Sequence, residues 1–255
     1  MKTIAWVFSD LFWLANSVHA QTVLSVVSAA SGAAVVAPNS LASAFGTKLA
    51  SGAIAANGLP LPTLLGGVSV TVTDSAGDSR LAGLLFVSPQ QINFLVPPGT
   101  PAGSVTVTVA AGSDVVARGT VPVQAVAPAL FAVPGTRIAA AIGVRRIAPN
   151  GPATSFPVFQ CNSAGAQCAP VPIDLGVDTP VYLELYGTGI RGGSTAIVTI
   201  GGVPVQLLYA GAQPQFPGLD QVNVSVPLTL RGAGLADIVV TVDGQPSNRV
   251  QVTIR

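Results

Sequence analysis

The sequence contains few charged side chains. Asp, Glu, Lys and Arg make up 8% of its 255 residues, and the formal net charge is +1, whereas an average soluble domain is about 25% charged. A nucleic-acid-binding surface needs a stripe of basic residues, and the adjacent pair Arg145 and Arg146 does not provide one. The composition therefore argues against a nucleic-acid partner.

Long apolar runs are absent after the first twenty residues. Residues 1–20 carry a lysine and then an apolar stretch, and Val18 and Ala20 suit signal-peptidase cleavage before Gln21. Asp10 interrupts this stretch, which also argues against the alternative of an uncleaved anchor. No later stretch reaches the roughly 18 apolar residues of a spanning helix. We therefore expect an exported mature chain, extracellular, at the cell surface or periplasmic, without a transmembrane segment.

Side chains that commonly carry catalysis are scarce. The single histidine, His19, lies in the segment that cleavage would remove, so the mature chain would lack the usual Ser-His and Cys-His pairs. The only glutamate, Glu184, shares a strand face with Tyr182 and Tyr186, whereas carboxylate-pair hydrolysis needs two acids close in space. The sequence predicts a protein that is not an enzyme and that binds no cofactor or metal.

Cysteine occurs twice, as Cys161 and Cys168 in FQCNSAGAQCAP. Export makes a disulfide plausible, and the turn-prone residues between the two allow them to approach. Two thiols are too few for a zinc site, and their spacing is not that of a Cys-x-x-Cys redox pair. The pair therefore indicates a structural disulfide.

Valine in alternation dominates the rest of the chain. Val68, Val70 and Val72 alternate with serine and threonine, and 28 glycines and 21 prolines punctuate such runs. This period of two is typical of half-buried antiparallel strands joined by tight turns. A convincing helical period of 3.6 is absent, so the pattern predicts an all-β fold.

The sequence also repeats itself. The matched stretches, in the same order in both halves, are SAFGTKLA (43–50) with ELYGTGIR (184–191), LLFVSPQQINFLVP (84–97) with QLLYAGAQPQFPGLDQVNVSVP (206–227), and GSVTVTVAAG (103–112) with ADIVVTVDG (236–244). We interpret them as two copies of one domain, 21–130 and 131–255. Seven or so short strands per copy predict two tandem immunoglobulin-like β-sandwiches; the doubling argues against the alternative of a single β-barrel.

These phrases, together with PNSLASAFGTKLA and VFQCNSAGAQCAPVPIDLG, resemble the Solibacter-type uncharacterised C-terminal domain, a module found at the ends of many secreted acidobacterial proteins. The halves of that module are similar to the immunoglobulin-like IPT/TIG fold. The resemblance covers nearly all of the mature chain and implies this fold and export. It implies no activity, substrate or catalytic residue.

One repeated phrase pairs two amides. Gln91 and Asn93 in QINFLVP correspond to Gln221 and Asn223 in QVNVSVP, and both pairs point away from the apolar side of their strand. Amide side chains can donate and accept hydrogen bonds, so they could contact a ligand or brace the fold. Recurrence in both copies favours a brace, and we expect the amides to tie the preceding loop to the strand.

Aromatic residues are the candidates for ligand contact. Phe216 lies in an extra loop of the second copy, QPQFPGLD, between two prolines. It is either an exposed contact for a polysaccharide or part of a lid over the sandwich end. Tyr186 and Tyr209 match Phe45 and Phe86 in the repeat, which suggests core positions for all four.

Two further motifs have simpler explanations. GTGIRG (187–192) matches the dinucleotide pattern Gly-x-Gly-x-x-Gly, but a strand rather than a helix follows it, so a tight turn at Gly187 or Gly189 is the better explanation. Asp74 and Asp78 flank a turn, and two carboxylates are too few for calcium. We expect a hairpin tip there.

The sequence thus predicts a non-enzymatic exported module of two immunoglobulin-like sandwiches, with an interaction or structural role outside the cytoplasm. Its partner would be an unidentified extracellular protein or polysaccharide. The alternative is a carbohydrate-binding module of a secreted polysaccharide-processing system that uses Phe216 and nearby amides. Exposed strand edges on so uncharged a protein also offer a route to self-association.

Overall fold

The computed structural model describes residues 22–146, 151–162, 165, 167–177 and 179–255. These residues form two β-sandwiches in succession, which confirms the predicted all-β tandem immunoglobulin-like fold. The predicted signal peptide, residues 1–20, lies outside the described residues. In the part of the chain that the structure describes, no helix has the length and hydropathy needed to cross a membrane.

The first sandwich has ten strands. They are β1 (Thr22–Val23), β2 (Ser25–Ser28), β3 (Leu41–Phe45), β4 (Ile54–Ala55), β5 (Val68–Thr73), β6 (Ser79–Leu81), β7 (Gly83–Val87), β8 (Gln91–Leu95), β9 (Gly103–Ala111) and β10 (Asp114–Val123). Sheet I has the order β1-β10-β9-β5-β6, and sheet II has the order β2-β3-β8-β7-β4. Both sheets are antiparallel except where β1 runs parallel to β10.

The second sandwich repeats this plan. Its strands are β11 (Ala129–Leu130), β12 (Ala141–Arg146), β13 (Ala153–Pro157), β14 (Phe159–Cys161), β15 (Cys168–Pro170), β16 (Val181–Thr188), β17 (Ala196–Ile200), β18 (Val203–Val205), β19 (Leu207–Ala212), β20 (Asp220–Val226), β21 (Gly234–Val242), β22 (Gln245–Pro246) and β23 (Val250–Ile254). A 3-10 turn, Leu228–Leu230, follows β20. Sheet III has the order β13-β12-β16-β20-β19, with β11 beside β16. Sheet IV has the order β18-β17-β21-β22, with β23 also beside β21, and β14 and β15 form a separate hairpin.

The cores form as the alternating valines predict. In β5, Val68, Val70 and Val72 are buried while the serine and threonines between them are half-buried. Burial of a valine side chain contributes roughly 1.5–3 kcal/mol, so a single slip of register would forfeit this contribution along the whole strand.

Each sandwich has its own core. The apolar cluster of the first sandwich extends along the chain from Leu24 to Val123, and that of the second extends from Val126 to Ile254. Val126 and Leu130, which the expected boundary after residue 130 assigns to the first copy, pack in the second cluster. Only Gln124 and Ala125, both exposed, separate the two clusters. We refer to residues 124–130, which lead into the second sandwich and include β11, as the linker.

Candidate functional site

The repeated amides lie on the outer faces of sheets II and III. In β8 and β20 the apolar residues are buried, and Gln91, Asn93, Gln221 and Asn223 are half-buried on the opposite side. The Gln91 amide nitrogen donates to the Asn93 side-chain oxygen at 2.8 Å, and Gln221 donates to Asn223 at 2.9 Å. The two copies thus form the same local hydrogen bond.

The bonds of these amides differ from the expected link to the preceding loop. Residues two apart on a strand point to the same face, so each glutamine meets the asparagine of its own strand. Asn93 also accepts a hydrogen bond of 2.9 Å from the Ser43 hydroxyl on the neighbouring β3. The loop before β8 is held instead by Ser88, whose hydroxyl bonds the backbone N–H and carbonyl of Gln91 at 3.0 Å each.

An Asn93→Ala variant should lose about 1 kcal/mol of unfolding free energy, because its side-chain oxygen accepts two hydrogen bonds. Asn223→Ala is the matched control, since that oxygen accepts one such bond, from Gln221, and it should lose less. Urea unfolding of both variants measures the difference. If Asn93→Ala and the unchanged protein have the same unfolding free energy in urea, the amide does not brace the fold.

The repeat-matched aromatics lie outside the core, so the sequence-based placement of these residues is wrong. Phe45 and Tyr209 are both 42% exposed, and Phe86 and Tyr186 are half-buried on the outer faces. In β7 and β19 a β-bulge at the same repeat position, before Phe86 and before Tyr209, shifts the register by one residue. A bulge inverts the alternation beyond it, so Phe86 and Tyr209 face outward. Each is the cross-strand partner of a repeated asparagine, on the same face of the sheet.

Phe216 lies in a well-defined loop between β19 and β20. Its ring is 59% exposed, and the Gln213 side-chain oxygen accepts hydrogen bonds from the backbone N–H groups of Gln215 and Phe216 at 2.7 and 2.9 Å. Gly218 in this loop packs on the first sandwich, where an added Cβ would lie 2.5 Å from the Leu41 side chain. The loop thus covers part of the outer face of sheet II and leaves the Phe216 ring in solvent.

Thr188 connects this loop to the first sandwich. Its side chain is buried, and its hydroxyl accepts a hydrogen bond of 2.8 Å from the Leu41 N–H and donates one of 2.7 Å to the Gly218 carbonyl. One side chain of the second sandwich therefore satisfies backbone groups on both sides of the junction. Nothing in the sequence around Thr188 indicated this role, since the first copy has a threonine at the same place.

The glycines of GTGIRG fit against the linker. An added Cβ atom would lie 2.5 Å from the Ala129 oxygen at Gly187, 2.2 Å from the Ala127 oxygen at Gly189 and 2.7 Å from the Ala125 oxygen at Gly192. The Ala127 N–H donates to the Gly189 carbonyl at 3.0 Å. The motif is therefore a seat for the linker backbone, with a positive φ of 73° at Gly189 that favours glycine.

Asp220 holds the GTGIRG turn in shape. This carboxylate is fully buried and accepts hydrogen bonds from the Ile190 N–H at 2.7 Å and from the Arg191 guanidinium at 2.6 Å. Burial raises the pKa of Asp220, and the N–H groups of Ile190 and Arg191 and the Arg191 charge oppose that rise. The first copy has Gln90 at the matching position, and this difference between the copies was the available sequence signal.

Asn248 fastens the end of the linker. Its side-chain oxygen accepts from the Leu130 N–H at 2.8 Å, and its side-chain nitrogen donates to the Leu130 carbonyl at 2.9 Å. The glycine seat and this contact fasten the linker to the second sandwich, and the Thr188 hydrogen bonds connect that sandwich to the first. We refer to these contacts together as the joint.

The remaining acidic candidate serves a turn. Asp74 lies in the hairpin between β5 and β6, where its carboxylate accepts hydrogen bonds from Arg80 at 2.8 Å and from the Ala76 and Asp78 N–H groups at 3.0 Å each. The hydrogen bond to Arg80 is the main cause that lowers the pKa of Asp74. Among the described residues no group of three or more potential metal ligands occurs.

The predicted disulfide is present. Cys161 and Cys168 are bonded to each other at facing positions of the hairpin formed by β14 and β15. Its Phe159 packs against the core of the second sandwich. The bond therefore closes a surface hairpin, as a structural disulfide does.

Comparisons with known proteins locate no relative close enough to transfer a function. Neither a protein-family model nor a curated protein matches the chain. Among solved structures, the tandem Ig domains of titin are similar over 87% of this chain and 90% of that chain, at 8% identity and a TM-score of 0.28. At that level of likeness the assignment of the fold rests on the strand order of the two sandwiches.

Proposed function

We propose that the protein is a non-enzymatic exported module in which two IPT/TIG-type immunoglobulin-like domains act as one rigid interaction or structural unit. Residues 1–20 would direct export and be removed, and the domains would meet within the linker. Membership of the Solibacter-type family belongs to the same proposal. Three observations support this proposal: the repeat, the tandem sandwich topology and the disulfide. Disulfides form and persist in oxidising compartments outside the cytoplasm.

The joint is the observation that carries this proposal. The polar and glycine residues that resemble catalytic or nucleotide-binding groups in the sequence serve structure instead: GTGIRG seats the linker, and Asp220 and Thr188 hold that seat and its neighbour. A fixed pair of sandwiches suits a protein that presents surfaces at a constant spacing.

The test is to express the full chain with its N-terminus intact, sequence the N-terminus of the exported product and screen it against purified polysaccharides and cell-envelope fractions. We expect a chain that begins at Gln21 and that is retained by at least one fraction without altering it chemically. A chain that stays in the cytoplasm uncleaved, or one that degrades a polysaccharide, contradicts the proposal.

A second candidate function is carbohydrate binding through Phe216. The 59% exposure of this ring on a loop held by Gln213 favours it, because an exposed aromatic ring presents an apolar surface to a ligand. In the same screen, retention on a polysaccharide that Phe216→Ala abolishes would support this site.

A further inference from the structure

A concave surface lies on the outer face of sheet III. It is a cleft of about 460 Å³, and small-molecule pockets have volumes of about 300–1,000 Å³. It is lined by the polar residues Arg146, Tyr182, Glu184, Gln206 and Asn223 and by the apolar residues Val144 and Leu208. We refer to this surface as the Glu184 cleft.

The first sandwich has a matching location, which the chain itself fills. The repeat and the strand pairing align Leu41, Leu95 and Gly83 of sheet II, which are neighbours across three strands. Gly218 of the second sandwich packs on Leu41 and Leu95, and Leu61 packs on Gly83, where an added Cβ would lie 2.9 Å from it. An apolar surface is thus covered by apolar groups of the same chain.

The second sandwich carries polar groups at the same positions. Tyr182, Ser225 and Gln206 are neighbours across β16, β20 and the start of β19, as their counterparts are in sheet II. Glu184 replaces Ser43 of the first copy. Among the described residues, this surface of sheet III is an open cleft, whereas the matching surface of sheet II is covered by the chain itself. This difference is expected if the surface of sheet III receives a ligand.

The lining indicates a neutral, hydrogen-bonding ligand. One carboxylate and one guanidinium balance each other in formal charge, so the Glu184 cleft has no net preference for an anion or a cation. Glu184, Arg146 and the two amides are planar groups that each engage two neighbouring donors or acceptors. Adjacent hydroxyls of a sugar ring present that pattern, and Tyr182 and Leu208 offer apolar surface to its C–H groups.

A peptide fits this location less well. Peptides commonly add to a free sheet edge or lay a helix in an apolar groove. The Glu184 cleft lies mainly over β12, β16 and β20, whose edges are already paired, so it offers side chains and little free backbone.

One of the polar groups, Asn223, is held in place before a ligand arrives. The Asn223 side-chain oxygen accepts a hydrogen bond of 2.9 Å from the Gln221 amide nitrogen, which fixes the orientation of the Asn223 amide. Tyr186 lies two residues along β16 from Glu184, and burial together with the Glu184 charge raises the pKa of Tyr186. Fixed polar groups reduce the entropy lost on binding.

We propose that the Glu184 cleft binds a neutral oligosaccharide, a role that rests on the proposed extracellular module and names its ligand class. The site is separate from Phe216, which is not among its lining residues. The chemistry is binding only, since Glu184 is the one carboxylate among the lining residues.

The experiment titrates the full chain by calorimetry with β-1,4-linked tetrasaccharides of glucose, xylose, mannose and N-acetylglucosamine. Tetragalacturonate is the charged comparison, and the peptide QPQFPGL, which copies the loop on sheet II, tests for a protein-like occupant. The variants are Glu184→Ser and Tyr182→Leu. Each introduces the residue that the first copy has at the matching position, so both variants should fold. Each should weaken binding of a neutral tetrasaccharide at least about tenfold, and Phe216→Ala should leave it within about twofold.

The assignment would be overturned if no neutral tetrasaccharide binds, if tetragalacturonate binds more tightly, or if only the peptide binds. It would also be overturned if Phe216→Ala loses binding while Glu184→Ser retains it. Chromatography of the bound sugar separates this proposal from the broader one. Binding with cleavage would support the cleft and contradict the non-enzymatic function, whereas absence of binding would overturn the cleft and leave the module intact.

Discussion

Replacing Asp220 with alanine should lower the free energy of unfolding of the second sandwich by about 3–5 kcal/mol. The Asp220 side chain is fully buried, and its removal leaves the Arg191 side chain, 21% exposed, without its 2.6 Å partner. The Ile190 N–H would also lose its acceptor, and an unsatisfied buried donor is costly in its own right. Chemical unfolding followed by Tyr fluorescence measures the change, since Tyr182, Tyr186 and Tyr209 all lie in this sandwich.

Asp237→Ala is the matched control for this experiment. It removes the same group from the same sandwich, but that carboxylate is 35% exposed and pairs with Arg137 at 3.4 Å and Arg249 at 3.5 Å. Exposed ion pairs contribute about 0–1 kcal/mol, and Asp237 also accepts a hydrogen bond of 2.8 Å from Gln251, so this variant should lose only about 1 kcal/mol. If Asp220→Ala also loses less than about 1 kcal/mol, the carboxylate does not hold the GTGIRG turn.

Much of the fold follows from the sequence. The alternation of apolar and polar residues is a local pattern, and the internal repeat is found by comparing the chain with itself, so neither requires knowledge of distant contacts. The alternation of Val68, Val70 and Val72 predicted their burial, and the outward direction of Gln91 and Asn93 followed in the same way. The spacing of Cys161 and Cys168 in an exported context predicted the bond that the structure contains.

The placement of the aromatics could not be read from the same alternation. A β-bulge adds one residue to a strand without any change in composition, and the residues beyond it change face. The two leucines before Phe86 and before Tyr209 look like one continuous apolar run. Because both copies contain the bulge, comparison between them reinforced the wrong interpretation rather than exposing it.

The joint was also beyond the reach of local patterns. The sequence excluded a nucleotide site at GTGIRG and favoured a tight turn, which is confirmed for Gly189 by its φ of 73°. The linker that lies under these glycines is some 60 residues away in the chain, and no periodicity connects the two. The same holds for Thr188 and Leu41, whose contact spans 147 residues.

Differences between the copies proved more informative than their similarities. Where the two sequences agree, as at Gln91 and Gln221, the structure shows a shared element of architecture. Where they differ, the structure differs as well: Asp220, in place of Gln90, pairs with Arg191 at the GTGIRG turn, and Glu184, in place of Ser43, lines the cleft. The extra loop around Gly218 likewise occurs only in the copy that docks it on the other.

The largest effect on the joint is expected from Gly189→Ala. The added Cβ would lie 2.2 Å from the Ala127 carbonyl oxygen, and backbone at that position cannot move aside as a flexible side chain would. Left-handed backbone costs a non-glycine residue about 1–2 kcal/mol, and overpacking adds about 1–3 kcal/mol. We therefore expect a loss of about 3 kcal/mol and separation of the linker from its seat.

Gly202→Ala isolates the contact from the backbone strain. Gly202 has a φ of 79°, close to that of Gly189, and no heavy atom lies within 4 Å of its added Cβ. Its unfolding free energy should fall only by the cost of left-handed backbone, about 1–2 kcal/mol, and the joint should stay intact.

Limited proteolysis and small-angle scattering provide the second readout. Gly189→Ala should be cleaved between residues 124 and 130 and should scatter as a more extended particle, because the glycine seat is what holds the linker. Equal stability and equal proteolysis of the two variants would show that the sandwiches are held by the Thr188 bridge and the Gly218 contact alone.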